Sequence, residues 1–244
     1  GGPVDTTVLA MASRSGGNPF LLEGMLSALC ANDRIVTSEG LARVVCDKLP
    51  PGFLAAVDQR LRKLAPEIRQ LLQVGAVLGG TFSLHTAALL LRRPIGEVMA
   101  IADEAVASGT LVEYRSRLAF QQDLVREAVY SSMNGAVRSM LHREATAVLR
   151  AEGRPVVEIT DHLVRGEYRG DVHTVELLRA AAEHMAASAP STSANLLLRA
   201  LEMLEDADDR RPMLISDAVR MLASAGRLAE ARSWGESALR GQVD

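Results

Sequence analysis

The stretch Thr110-Leu-Val-Glu-Tyr-Arg-Ser-Arg-Leu-Ala-Phe120 decides the fold class, because it interrupts a chain whose periodicity is otherwise helical. Two short runs of β-prone residues, 110–114 and 117–120, flank Arg115-Ser116, and this arrangement predicts a β-hairpin. Arg-Ser is not among the dipeptides favoured in tight primed turns. The prediction therefore rests on the flanking residues rather than on the turn itself.

Amphipathic helices precede this hairpin. Apolar residues recur there every three to four positions, and prolines or glycines stand at the helix ends. Several helices followed by a two-stranded wing are typical of a winged-helix domain, which we place at residues 51–132. The helices are predicted at 53–64, at 66–78, at 84–91 with Ser83 as the cap, and at 95–108.

The chain after the hairpin has a helical pattern throughout. Gly226, Ala231 and Ala238 have the spacing of the small residues in tetratricopeptide repeats, and Ser193 and Ala200 repeat the frame 38 residues earlier. Ordinary alanine-rich helix packing is the alternative interpretation. We predict a mainly α fold in which a tetratricopeptide-like array occupies residues 133–244. Its helices and the one before them are predicted at 123–132, 136–151, 155–166, 172–188, 192–205, 211–225 and 228–240.

Composition excludes several classes of function. The 244-residue chain has a net charge of −3 and eight aromatic residues, which argues against a nucleic-acid-binding surface. It lacks the run of about 18 to 20 apolar residues that would span a bilayer. Cys30 and Cys46 are too few for a disulfide scaffold, so we expect a reducing, cytoplasmic location.

No catalytic or metal-binding motif is present in the sequence. It has no Walker-type phosphate loop, no H-E-x-x-H, no paired C-x-x-C and no G-x-S-x-G. His162 and His173 flank a loop, but they have no cysteine partners at zinc-finger spacing. We therefore expect neither an enzyme nor a metal site, and at most weak nucleotide binding by this chain.

The segment Ser15-Gly-Gly-Asn-Pro-Phe-Leu-Leu-Glu23 resembles the G-N-P-F-F/L-L-E element of STAND-class ATPases, especially the large ATP-binding regulators of the LuxR family. Asn18 can cap the helix that Pro19 opens. The resemblance continues, in order and spacing, over essentially the whole chain. Its further motifs are Leu49-Pro-Pro-Gly-Phe53, Val57-Asp-Gln-Arg-Leu61, Gly75-Ala-Val-Leu-Gly79, Phe120-Gln-Gln-Asp-Leu-Val-Arg-Glu-Ala-Val-Tyr130 and Leu141-His-Arg143.

This resemblance implies an internal fragment of a longer regulator. Residues 4–50 would be the C-terminal helical part of the nucleotide-binding module, followed by the winged-helix domain and the start of a helical sensor region. Pro19 would lie near the adenine of ATP or ADP, with the Gly17-Asn18 backbone beside it. The implied partners are an upstream ATPase core, a downstream helix-turn-helix domain, an effector (a small molecule or a protein) on the helical region, and further copies of the protein.

Gln122 departs from the family pattern, which the resemblance gives as F-R-H-[AD]-L-V-R-E-A-[LV] with the histidine directed at the diphosphate. A glutamine keeps a neutral N–H donor but cannot become cationic. Either nucleotide sensing is weaker here, or Gln122 is only a polar residue at the entry of a helix. Pro19 likewise has a purely structural alternative, as a first-turn proline. We expect Asp123 to cap the helix in both cases.

Direct DNA binding by the winged-helix domain is not expected. Its helix from Ile95 carries Glu97, Asp103 and Glu104 and has no basic residue before Gly109, so it would repel phosphate. An alternative function is that of a stand-alone helical-repeat adaptor that binds a protein partner. That alternative gives no reason for the Gly17–Phe20 element or for the hairpin.

Overall fold

The computed structural model describes residues 3–38, 40–45, 48–166 and 172–240. The chain divides into two compact units, Gly1–Arg138 and Ser139–Asp244. Over the described residues it is mainly helical, with thirteen helices and five short strands. This confirms the predicted fold class. None of the helices in these ranges has both the length and the apolar character needed to cross a bilayer.

The first unit begins with two helices and a hairpin. Met25 and Leu29 are fully buried on the second helix, and Val8 and Met11 are buried on the first. The hairpin was not predicted, although its β-branched residues favour strands. These elements are α1 (Thr6–Ser13), α2 (Pro19–Ala31), β1 (Ile35–Ser38) and β2 (Leu41–Val44), and β1 pairs antiparallel with β2.

The rest of the first unit has the predicted order of helices and wing. The wing contains one strand more than predicted, the two-residue strand β3 (Thr81–Phe82), which is too short to show a period in the sequence. This strand pairs with the second strand of the predicted hairpin. The elements are α3 (Pro51–Leu61), α4 (Pro66–Leu78), β3 (Thr81–Phe82), α5 (Leu84–Leu91), α6 (Ile95–Ala107), β4 (Leu111–Tyr114), β5 (Arg117–Phe120) and α7 (Asp123–Ser132).

The turn of the wing has an unusual composition for its conformation. Arg115 and Ser116 have φ values of 49° and 61°, and two successive residues with positive φ form a primed turn. Such turns match the twist of the flanking strands, and β4 and β5 pair over four residues each. The predicted hairpin is confirmed, and strand pairing imposes the backbone conformation that this dipeptide does not favour.

Gly75 of α4 lets an aromatic ring pack directly on the helix backbone. A β-carbon built at this position would lie 2.5 Å from Cε1 of Phe82. Phe82 is 1% exposed and belongs to β3. The glycine therefore joins the third strand of the wing to the helical core, a role that the periodic pattern on α4 did not reveal.

The second unit is an array of helices, and from its second helix onward each helix packs on the next along the chain. Its core contains Ile159, Leu178, Leu196 and Leu201, each at most 1% exposed. The break between the second and third of these helices lies outside the described residues. The helices are α8 (Gly135–Ala151, which begins before the boundary), α9 (Val156–Arg165), α10 (Val172–Met185), α11 (Pro190–Met203), α12 (Arg211–Ser224) and α13 (Leu228–Arg240).

Candidate functional site

The turn between α1 and α2 contains three of the four candidate site residues. Gly17 has a φ of 76° and lies in open space. Asn18 caps α2, as predicted: its Oδ1 accepts hydrogen bonds from the backbone N–H groups of Phe20 (3.1 Å) and Leu21 (3.3 Å). Pro19 is the first residue of the helix and is exposed. Two of the free N–H groups at this helix start are thus already bonded within the chain.

The same turn packs against the start of α7. Gly16 has a φ of 60°, and a β-carbon there would lie 3.3 Å from the backbone oxygen of Gln121 and from Cγ of Gln122. The carbonyl of Arg14 accepts a hydrogen bond from the N–H of Leu124 at 3.4 Å. The Arg14 guanidinium also forms an ion pair with Glu127. These contacts bring the Gly-Asn-Pro turn and the helix after the wing together.

Gln122 itself is the N-cap residue of α7, and its side chain makes no capping hydrogen bond. The prediction that Asp123 caps this helix is therefore wrong. Asp123 is instead the first residue of the helix, where a carboxylate still interacts favourably with the helix dipole. Sequence could not separate an N-cap role for Asp123 from a place in the first turn, because acidic residues are favoured at both positions.

A hollow of about 60 Å³ lies beside this contact. Leu21 of α2 and Gln122 both line it, but Pro19 and Gly17 do not. Ser108 and Thr110 add two hydroxyls that share a hydrogen bond of 2.7 Å. The structure thus places Gln122 and the first turn of α2 on one surface, with Pro19 exposed nearby along the helix.

Arg60 is a residue of this hollow that sequence reasoning missed as a site residue. It lies on α3, is exposed, and its side chain has no ion-pair partner among the described residues. Its neighbour Arg62 instead pairs with Asp58 at 2.8 Å. The motif Val57–Leu61 contained Arg60, but nothing in its spacing distinguished a cation that faces a hollow from one on a solvated helix face.

The histidines of the second unit form a contact that was not predicted. The partner of His162 is His142 and not His173: the Nδ1 atoms of His162 and His142 lie 2.9 Å apart. Both rings of this pair are buried. Burial lowers the pKa of His162 below its usual value, nearby Asp161 opposes this shift, and Arg165 adds to it. His173 contacts Arg150 and lies 3.8 Å from Glu176.

The remaining sequence predictions concern cysteine and the acidic helix. Cys30 is a free, exposed thiol, and Cys46 lies outside the described residues. Helix α6 exposes Glu97 and Asp103 together with the apolar Ile95 and Met99. An exposed face of this composition offers no cation for phosphate contacts.

Comparisons with known proteins add one structural likeness. No protein-family model and no curated protein sequence matches the chain. The chain is similar to the solved structure of a signal transduction ATPase with numerous domains (STAND) that has a tetratricopeptide repeat sensor, from Pyrococcus horikoshii, with a TM-score of 0.49 and 13% identity. The match covers 96% of this chain but only 38% of that chain, so the chain spans well under half the length of the solved protein.

Proposed function

We propose that this chain is the regulatory, signal-sensing middle part of an ATP-binding transcriptional activator of the LuxR family. In this proposal the first unit responds to the nucleotide state and the second unit to an effector. Together they control self-association, and a helix-turn-helix domain outside this chain then activates the promoter. An effector can shift such an equilibrium only by its differential affinity for the two states.

One structural observation carries the proposal. The Gly-Asn-Pro turn packs against the start of α7, and Leu21 and Gln122 line one hollow. The family resemblance implies that the first of these segments lies near the adenine of a bound nucleotide and that the position of Gln122 faces its diphosphate. Separate positions for them in the first unit would have removed the basis of the proposal.

The hollow fits one wall of a nucleotide site. Its volume of about 60 Å³ is far below the roughly 300 to 1,000 Å³ of ligand pockets, so an ATPase core would have to supply the remaining walls. Asn18 already occupies the N–H groups of Phe20 and Leu21. That end of α2 is therefore better suited to lie beside a neutral adenine than to hold a phosphate.

Arg60 and Gln122 supply the side-chain N–H donors of this hollow, beside the hydroxyls of Ser108 and Thr110, and would meet a phosphate at this wall. Gln122 offers a neutral amide donor, whereas Arg60 offers on the same hollow a cation that has no ion-pair partner in the described part of the chain. A charge-assisted hydrogen bond is about twice as strong as a neutral one. We therefore assign to Arg60 the cationic contact that the glutamine cannot provide, and to Gln122 a secondary one.

The experiment uses the full-length gene product. Its coding sequence is expected to contain a Walker A motif upstream of Gly1 and a helix-turn-helix downstream of Asp244. In that protein Arg60→Met should weaken ADP binding about tenfold, the effect of losing a charge-assisted bond at an exposed site. Isothermal titration of ADP measures this change.

Arg62→Met is the matched control, because Arg62 lies on the same helix end and pairs with Asp58. ADP affinity should be unchanged in this variant. A reading frame with its start codon near residue 1 and its stop codon after Asp244 would refute the proposal. Equal ADP affinity in the Arg60→Met variant and the parent would refute the assignment of the cation.

A stand-alone helical-repeat adaptor is the second candidate, and the array of the second unit, in which α9 to α13 pack on one another in chain order, favours it. Capture of a specific protein by the isolated chain, at an affinity that nucleotide does not alter in the full-length protein, would support the adaptor. The regulator instead requires that nucleotide changes the affinity for the effector, because coupling between two sites is reciprocal.

A further inference from the structure

A groove of about 270 Å³ lies within the second unit. Side chains of α10 and α12 form its two walls, and α11 contributes to its floor. The volume is slightly smaller than that of pockets for drug-sized ligands, roughly 300 Å³ and above. An occupant of this groove is therefore a small solute.

The floor of the groove consists of apolar side chains and one hydroxyl that already donates a hydrogen bond within the protein. Ser193 is buried and donates a hydrogen bond of 2.7 Å to the backbone oxygen of Ala182, so its hydroxyl proton is already used within the protein. Leu197 and Met221 complete the floor and are buried. This surface suits an apolar group of a ligand and offers no strong polar anchor.

The walls of the groove carry two charges of each sign. On α12, Asp217 and Arg220 pair with each other at 2.7 Å. On α10, Arg179 and Glu183 are exposed, and neither has an ion-pair partner among the described residues. Because residues four apart on a helix have Cβ atoms about 5 to 6 Å apart, these two unpaired charges can bind the two ends of one small molecule.

We propose that this groove binds a small zwitterion with an apolar body, namely a free apolar amino acid or a short peptide of such residues. The carboxylate of the ligand contacts the guanidinium of Arg179, and its ammonium group contacts the carboxylate of Glu183. Its apolar side chain lies on Leu197 and Met221. The inference deepens the proposed sensor function and rests on it, since it names the effector class of the second unit.

The test measures binding to the purified chain by isothermal titration. The probes are L-leucine and L-methionine, compared with leucinamide, which lacks the carboxylate, and isocaproate, which lacks the ammonium group. We expect saturable binding of at least one amino acid and at least tenfold weaker binding of both single-charge analogues. Binding of neither amino acid, or equal binding of the analogues, overturns the proposal.

Variants of the two wall residues locate the site. Arg179→Met and Glu183→Gln should each weaken amino-acid binding about tenfold or more, the usual effect of losing a charge-assisted contact. Arg232→Met is the matched control, because Arg232 is an exposed arginine paired with Glu236 on α13, outside the groove. Equal affinity in the Arg179→Met variant and the parent, or an equal loss in the control, assigns the binding elsewhere.

The outcome is separable from that of the nucleotide experiment. If neither amino acid binds while Arg60→Met still weakens ADP binding, the groove proposal fails and the nucleotide proposal stands. If amino acids bind through Arg179 and Glu183 but ADP affinity is insensitive to Arg60, the groove is a ligand site and the assignment of Arg60 fails.

Discussion

The turn between α1 and α2 and the helical array of the second unit are held by contacts of different sequence range. Arg14 pairs with Glu127, and Gly16 lies against Gln122. In the array, by contrast, each helix from α9 to α13 packs on its neighbour along the chain. Contacts between distant segments depend on closing a long loop, whereas repeat arrays are stabilised by nearest-neighbour terms.

This difference has a functional meaning. A displacement of α7 would change the contacts of the turn directly, because Gly16 lies against Gln122 and Arg14 pairs with Glu127. An array of nearest neighbours instead tolerates a local change without loss of the whole. We therefore expect the turn to be the sensitive part of the proposed switch, and the array to act as a scaffold for a ligand site.

The largest effect is expected at the turn, in the comparison of Gly16→Ala with Gly17→Ala. Both residues have positive φ, so each alanine costs about 1–2 kcal/mol of backbone strain. Only at Gly16 does the new β-carbon meet Gln121 and Gln122, at 3.3 Å. That contact should destabilise the first unit by about 1 kcal/mol more.

Urea unfolding of the two glycine variants measures this difference. Gly17→Ala serves as the control, since it has the same strain in open space. Equal unfolding free energies for the two variants would contradict the packing of the turn against α7 and remove the distinction between turn and array.

An intermediate effect is expected in the array, from Ser193→Ala. The lost hydrogen bond from Ser193 Oγ to the backbone oxygen of Ala182 contributes about 1 kcal/mol to the stability of the second unit. Ser191→Ala, on the exposed start of the same helix, should change stability by less than about 0.5 kcal/mol. Urea unfolding measures both variants.

Hydrogen exchange then shows how far the loss at Ser193 extends. Protection should fall in α10 and α11 and stay unchanged in the first unit, because array contacts are local. A loss of protection in α1 or α7 would show that the two regions do not differ as described.

The smallest effect is a pH dependence of the second unit. Burial lowers the pKa of His162 below its usual value of 6.5, despite the opposing charge of Asp161. The unfolded chain therefore binds this proton at higher pH than the folded chain does. The free energy of unfolding of the second unit therefore keeps its full value above about pH 6.5. It decreases as the pH falls through the folded-state pKa of His162.

Thermal unfolding between pH 8 and pH 5 tests this dependence, with His162→Gln as the comparison. The melting temperature of the second unit should fall on acidification in the parent chain, and this slope should be smaller in the variant. A parent slope no steeper than that of the variant would refute the role of buried His162.

Helix positions were predictable because their signals are local. The pattern of apolar residues located α7 to within a residue of its ends, and the capping residues Asn18 and Ser83 act as predicted. Each of these features depends on residues within four positions of one another. Local signals also predicted the β4–β5 hairpin, although its Arg115-Ser116 turn is unfavourable.

Other features depend on residues that no local pattern connects. Packing produces the close approach of Phe82 to Gly75 and the contact of His142 with His162. It also leaves Arg60 without an ion-pair partner among the described residues. The spacing of the small residues indicated a helical array. It did not indicate that Arg179 and Glu183 would line a groove and have no ion-pair partners within the described ranges.

Sequence by itself thus determined the helical character of the chain, the place of the wing, and the segments that resemble a nucleotide-binding regulator. Tertiary structure alone decided that Gly16 lies against Gln122, and that Leu21 and Arg60 line the same hollow as Gln122. It also decided that the charged residues of α10 line a groove. The physical reason is the range of the interactions. Hydrogen bonds and caps along a helix involve neighbours in the chain, whereas a binding site forms where packing brings distant side chains together.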